Sequence, residues 1–210
     1  IYGEIGDELA SISKVVKINQ KDHAQGHICP DVAKWLRLGP AGIGIEVCEK
    51  LEELTALGAR ADTSVLDFYR SLGVSLDASR RFMRRYASLA RELTASPAPA
   101  FSGAQCLEDL RNIARMCDAL ADRPPESFHE ALQSTWFLFV LLHLESNASS
   151  FSPGRLDQHL YPYFHADLHR GAIDLQQALE LIDAFYLKLN QIVYLRNAES
   201  ARYFAGFPIG

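Results

Sequence analysis

Cysteine is sparse here, and the four present, Cys29, Cys48, Cys106 and Cys117, fall into no CxxC or other ligand-spaced pattern. That excludes a thioredoxin-type redox pair and a zinc finger. It leaves buried free thiols as the default and a reducing cytoplasm as the expected compartment. Long apolar runs are absent too. Trp136 to Leu142, the longest, is far short of the ~20 residues that span a bilayer, and no stretch reads as a secretory signal. A soluble, cytoplasmic chain is expected. Net charge is only −5, which gives no general attraction to nucleic acid or to an anionic membrane. Arg80, Arg81, Arg84, Arg85 and Arg91 form a stripe that reads as a solvated helix face. HExxH is missing as well: His23/His27 and His165/His169 (Asp167 between, His159 nearby) are spaced one helical turn apart, but no third ligand follows, so no metal site is expected. Cys29 lies two residues from His27 with nothing to orient the pair as a catalytic triad would.

What the sequence does have is helical periodicity, with 48% hydrophobic residues over 210 positions, enough for a sizeable core. Leu9, Ile12, Val15, Val16 and Ile18 predict an amphipathic helix between Glu4 and Gln20. Gly26 to Pro30 breaks it. Asp31 then caps a short helix to Leu38, stopped by Gly39-Pro40, and another runs from Ile43 to Leu57 before Gly58. From Ser64, apolar residues at Val65, Phe68, Tyr69, Leu72, Leu76, Met83, Tyr86, Leu89 and Leu93 predict one long helix, bent near Gly73. Ser102 opens the next, to Leu120. Gly154 to Gly171 reads as irregular around Pro162, with a short helix from Tyr163 to His169. Asp174 to Gln177 reads as a capping box, starting a helix to Arg196 whose inner face is Leu179, Ile182, Phe185, Tyr186, Leu189 and Val193. The chain is therefore mainly α.

One helix stands apart. It begins at Pro124-Pro125, with proline in its first turn, and from Trp136 to Leu144 it is apolar except for His143. It then meets Glu145-Ser146-Asn147-Ala148-Ser149-Ser150. A helix apolar all round is expected to be buried on every face. Its end would then deliver polar groups into the interior, where they must find partners or a ligand.

Three ordered blocks carry a family resemblance. They are Gly26-His27-Ile28-Cys29-Pro30-Asp31; Pro124 to Gln133 with Glu145-Ser146-Asn147 and Ser152 to Tyr163; and Leu195-Arg196 with Tyr203 to Pro208. Together they resemble the glycyl radical enzymes, the family of pyruvate formate-lyase, the diol dehydratases, choline lyase and the arylacetate decarboxylases. The resemblance implies that residues 1–210 are one partial pyruvate formate-lyase-like domain. It would be the N-terminal helical portion of a ten-stranded α/β barrel, truncated before the barrel core, with Tyr203 to Ile209 as a first strand. It also implies a carbon–oxygen or carbon–carbon lyase working anaerobically on a small substrate. The cofactor would be a protein-derived glycyl radical outside this chain, installed by a radical S-adenosylmethionine activating enzyme. Homodimers are common in the family. Neither the thiyl cysteine nor the radical glycine is placed in this chain, so no catalytic residue is assigned and the segment alone is expected to be inactive.

Substrate-binding candidates follow the blocks. In family members with hydroxylated substrates the early block reaches the substrate, which points to His27 first, then His23 and Asp31. Imidazole and carboxylate suit proton transfer to a leaving hydroxyl, and this favours dehydration. No arginine stands in the early block to hold a carboxylate, which disfavours cleavage of a pyruvate-like substrate. Ser146 and Asn147 belong to the pocket wall, and Ala148-Ser149-Ser150 departs from the family's more frequent Gly-His-Ser. Beside these stand plainer readings: Asp31 as a helix cap, His27 on a backbone carbonyl, Ser146 and Asn147 satisfying the last carbonyls of the helix, and Arg155–Asp157 as an ion pair that pins a loop. The alternative function is a catalytically inactive helical binding or scaffold module derived from such an enzyme.

Overall fold

The structure is a computed structural model that describes residues 28–98, 102–146 and 151–190, with the side chains of Ala59, Glu145 and Ser146 excepted. The helix expected over residues 4–20 and the strand expected at Tyr203 to Ile209 lie outside them. The described residues form six α-helices, α1 (Val32–Ala56), α2 (Thr63–Ala95), α3 (Ala104–Asp122), α4 (Phe128–Ser146), α5 (Leu156–His169) and α6 (Leu175–Leu189), with a 3-10 turn at Gly58–Arg60. The one β contact among them is an isolated parallel bridge between Ile28 and Phe151.

α1 carries the local decision on which the rest is hung. Gly39-Pro40 does not end the helix but kinks it: Gly39 takes φ 63°, ψ 175° and helix resumes at once. Pro40 has no N–H, so the Leu36 carbonyl one turn earlier loses its helical donor. The Tyr163 hydroxyl of α5 donates to that carbonyl at 3.1 Å, and burial holds the phenol above its ordinary pKa, which keeps the proton in place. Trp35, one residue before Leu36, donates from Nε1 to the Ser134 carbonyl of α4 at 3.0 Å. The first turns of α1 are thus tied to both later helices. Tyr163→Phe should cost about 1–2 kcal/mol by leaving the Leu36 carbonyl unpaired, measured as a shift in the denaturation midpoint at unchanged m-value.

α2 and α3 form the most extensive helix pair. Small or flexible residues at their contact, Met83, Ala87 and Ala121, are fully buried. The arginine stripe is not a free solvated face. Arg80 and Arg84 both reach Asp122, Arg91 pairs with Asp118, and Arg80 Nε also donates to the Ala121 carbonyl, which locks α2 onto α3. The expected inner face of α2 was also drawn too wide: Phe68, Tyr86 and Leu89 are exposed. α2 runs unbroken through Gly73, whose bare Cα faces Val47 of α1.

α4 starts at Phe128, later than Pro124-Pro125 suggested. Ser127 caps it, its Oγ accepting from the Glu130 amide. A second carboxylate secures the same end: Asp167 of α5, 2% exposed, accepts from the Phe128 amide at 2.8 Å and pairs with Arg170. Arg123 forks onto Glu130 with two 2.8 Å bonds. Burial alone would raise the Glu130 pKa, but these bonds and the Glu126 amide outweigh it and hold the carboxyl below the usual glutamate range. Pro162 does not prevent helix around it: α5 runs from Leu156 through it, because the carbonyl that loses its donor belongs to exposed Gln158, where water can serve. The Asp174–Gln177 capping box forms as expected, with both reciprocal bonds. α6 runs to Leu189 with Asn190 as its cap, and the rest of the helix expected to Arg196 lies outside the described residues. Phe185 is buried, and Ile182 and Leu189 pack on the core as expected, but Ala178 takes the inner place expected of Leu179, and Leu179 and Tyr186 are exposed.

Candidate functional site

The polar end of α4 and the break before α1 converge at the Ile28–Phe151 bridge. The Ser152 amide donates to the Ile28 carbonyl at 2.8 Å, so the chain leaving the 147–150 segment runs beside the chain leaving His27. Gly154 (φ 64°) continues this close approach. A Cβ there would lie 3.4 Å from Cys29 Sγ. Phe151 anchors the junction at 1% exposure. Its ring meets Phe139 edge-on at 6.3 Å and His143 at 4.5 Å, and Trp136 stacks on Phe139 at 6.0 Å. Ile28, Leu142 and Leu189 pack around this aromatic knot. The space left between it and α6 is only about 20 Å³, lined mostly by apolar side chains with Thr135 and Ser152 among them.

His143 is the polar member of the knot. Its Nδ1 stands 2.7 Å from the Phe139 carbonyl. A carbonyl only accepts, so Nδ1 carries the proton and Nε2 presents a lone pair. Nε2 is buried and has no hydrogen-bond partner among the described residues. Desolvation lowers the His143 pKa against the opposing effect of the Phe139 bond, which keeps the ring neutral.

Of the sequence candidates, His23, His27 and Asn147 lie outside the described residues, and Ser146 closes α4 with its side chain outside them. Asp31 is described. It is exposed, and its Oδ1 accepts from the Lys34 amide at 2.9 Å as the cap of α1. Asp31 also sits on the rim of a larger groove of about 840 Å³ between α1, α2 and the end of α4, floored by Trp35, Leu72, Leu76, Phe82, Leu138 and Leu142. This groove is the reason α4 is not buried on every face: Leu144 is 66% exposed at its end. Asp31, Lys34, Ser75, Ser79, Arg81 and Arg85 supply its polar lining. Arg155 and Asp157 form a bidentate, exposed pair at 2.8 and 3.0 Å, the loop pin expected. His165 and His169 stack on the surface of α5, while Asp167 between them is turned inward to α4. Among the described residues no three His, Cys, Asp or Glu side chains gather as metal ligands would. All four thiols are free, but only Cys117 is buried, and burial pushes it up to about 11; Cys29 and Cys48 are exposed.

The model of the pyruvate formate lyase-like family matches residues 1–209. The chain belongs to that family of glycyl radical enzymes. It is 30% identical to the probable dehydratase YbiW of Escherichia coli (strain K12) over 99% of its own length and 26% of the relative's. With the (2S)-3-sulfopropanediol dehydratase of Klebsiella oxytoca it shares 33% identity, over 88% of this chain and 22% of that one. The glycerol-bound B12-independent glycerol dehydratase from Clostridium butyricum superposes with a TM-score of 0.77 at 34% identity, over 89% of this chain and 23% of that one. The chain thus spans about a quarter of the length of the curated relatives it matches. Among the described residues no helix is long and apolar enough to cross a membrane.

Sequence reasoning passed over His143 and Asp167. A lone histidine in an apolar helix reads as core, and the signal that could have raised it is its place one turn before the polar end of α4. Asp167 was weighed only as a companion to two histidines on the same helix, and its partner amide at position 128 is far off in sequence.

Proposed function

We propose that this chain is the N-terminal helical portion of a glycyl radical dehydratase that eliminates water from a small hydroxylated substrate in a closed pocket. The observation that carries the reading is the Ile28–Phe151 bridge. It supports the meeting of two distant segments, one ending in His27 and the other running from Ser146 and Asn147, at one dry wall. The named relatives, dehydratases among them, support the same reaction class.

In the complete enzyme a glycyl radical, installed by a radical S-adenosylmethionine activating enzyme, supplies the hydrogen-atom abstraction that starts the reaction. The residues of this chain supply one part of the pocket around it. The aromatic knot excludes water. His27, with His23 and Asp31 behind it, moves a proton to the departing hydroxyl, and Ser146 and Asn147 hold the substrate from the opposite side. A carbonyl product and one water balance each diol consumed. The working unit is an anaerobic, cytoplasmic homodimer.

The test is to express the complete reading frame anaerobically with its activating enzyme. A radical signal should appear by electron paramagnetic resonance, and a panel of vicinal diols, hydroxy amino acids and hydroxysulfonates should be assayed for loss of water. At least one member should be dehydrated, and His27→Ala should lower kcat by about a hundredfold or more, while residues 1–210 alone should turn over nothing. A radical-bearing enzyme that dehydrates no panel member would overturn the reading. So would turnover by residues 1–210 alone. A complete reading frame that ends at Gly210 would point instead to the inactive scaffold module.

A further inference from the structure

The Nε2 of His143 is buried without a hydrogen-bond partner among the described residues, and the proposed reaction leaves it unused. Nδ1–H is committed to the Phe139 carbonyl at 2.7 Å, which fixes both tautomer and ring orientation. Phe139 lies 4.3 Å from the ring on one side and Phe151 4.5 Å on another, so the imidazole is clamped and cannot turn to find a new partner. A buried acceptor left unpaired is costly, and natural proteins tolerate few of them. The atom lies at the junction that joins the two candidate pocket segments, and its position in α4 is one turn before Ser146 and Asn147.

We propose that His143 Nε2 is a substrate-binding acceptor that takes a hydrogen bond from a hydroxyl of the substrate. This rests on the dehydratase reading and deepens it by giving one hydroxyl a named partner. The ring serves as an acceptor and not as an acid. Its desolvated setting and the committed Nδ1–H favour the neutral form. A neutral acceptor in an aromatic wall orients a hydroxyl without offering a proton or a hydrogen atom that could quench a radical. The same geometry makes the position selective. A molecule with an ether or a hydrogen in place of that hydroxyl leaves Nε2 unpaired and binds less well.

The two ring nitrogens can be separated by substitution. In glutamine the side-chain amide reaches the position of Nε2, whereas asparagine reproduces Nδ1 only. Binding is measured by calorimetry on the complete, unactivated enzyme, using the best-turned-over panel member and its analogue lacking one hydroxyl. The wild type should prefer the hydroxylated ligand by tenfold or more, His143→Leu and His143→Asn should lose most of that preference, and His143→Gln should retain it. KM should rise about tenfold in the Leu variant with a smaller change in kcat. An unchanged preference in His143→Leu, or rescue by Asn in place of Gln, would show that only the Phe139 bond matters and would overturn the inference alone. A wild type that dehydrates no panel member would overturn the dehydratase reading, and this inference with it.

Discussion

Phe151→Ala should be the most damaging single substitution among the described residues, costing about 3–5 kcal/mol of stability and most of the enzyme's activity. Burying a phenylalanine this completely, at 1% exposure, means that truncation loses its transfer free energy and leaves a cavity that a packed neighbourhood cannot close. Its neighbours Phe139 and His143 are side chains of one rigid helix, so they cannot slide in to fill the gap. The effect on activity should exceed what lost stability explains. On the proposed reading, removing the ring opens this junction to water and shortens the life of a substrate radical held beside it. Phe151→Leu separates the two effects. It keeps most of the volume and should cost roughly 1–1.5 kcal/mol while largely preserving turnover. Denaturant midpoints and initial rates of the complete enzyme check both. A Phe151→Ala enzyme within about 1 kcal/mol of wild type would mean that the bridge is ornamental.

Gly39→Ala is the second large effect, expected at about 2–4 kcal/mol. Two costs add. At φ 63° and ψ 175° the backbone lies in a region open essentially to glycine, where any other residue costs on the order of 1–3 kcal/mol. A Cβ there would also stand 3.2 Å from the Arg123 carbonyl and 3.4 Å from Pro124 N. Those are main-chain atoms of the α3–α4 linker and cannot rotate aside. Strain at Gly39 would therefore be passed to the start of α4 and to the Arg123–Glu130 fork. Gly44→Ala, on the same helix with nothing within 4 Å of the added carbon, is the control. It should be neutral or stabilising by up to ~1 kcal/mol. Equal melting curves for the two variants would remove Gly39 from the account.

What could be read in the sequence was whatever is decided locally. The Asp174–Gln177 box, the Gly58 stop and the Arg155–Asp157 pin each depend on residues a few positions apart, and each forms. Gly39-Pro40 announced a break, but whether a helix stops or kinks there depends on what satisfies the Leu36 carbonyl, and that is Tyr163, far along the chain. Pro162 misled for the converse reason, since solvent can serve the carbonyl it strands. The inner face of α6 was drawn too wide, because Leu179 and Tyr186 are as apolar as Ile182, Phe185 and Leu189, which do pack inward. Periodicity gives a face, and only packing against α4 selects among neighbouring faces. The arginine stripe looked solvated because its acidic partners, Asp118 and Asp122, sit on a different helix. At the candidate site, spacing could nominate the residues near 27 and 146, but no local rule could say that positions 28 and 151 touch.

That contact bears on how the protein assembles. Bringing residue 28 against residue 151 closes a circuit through α1, α2, α3 and α4. The entropy lost in such a wide closure is recovered only once those helices have already shortened the path between its ends. This junction should therefore be stitched shut late in folding, after the helical stack stands. Partly folded chains would be left with an intact scaffold and a gaping mouth.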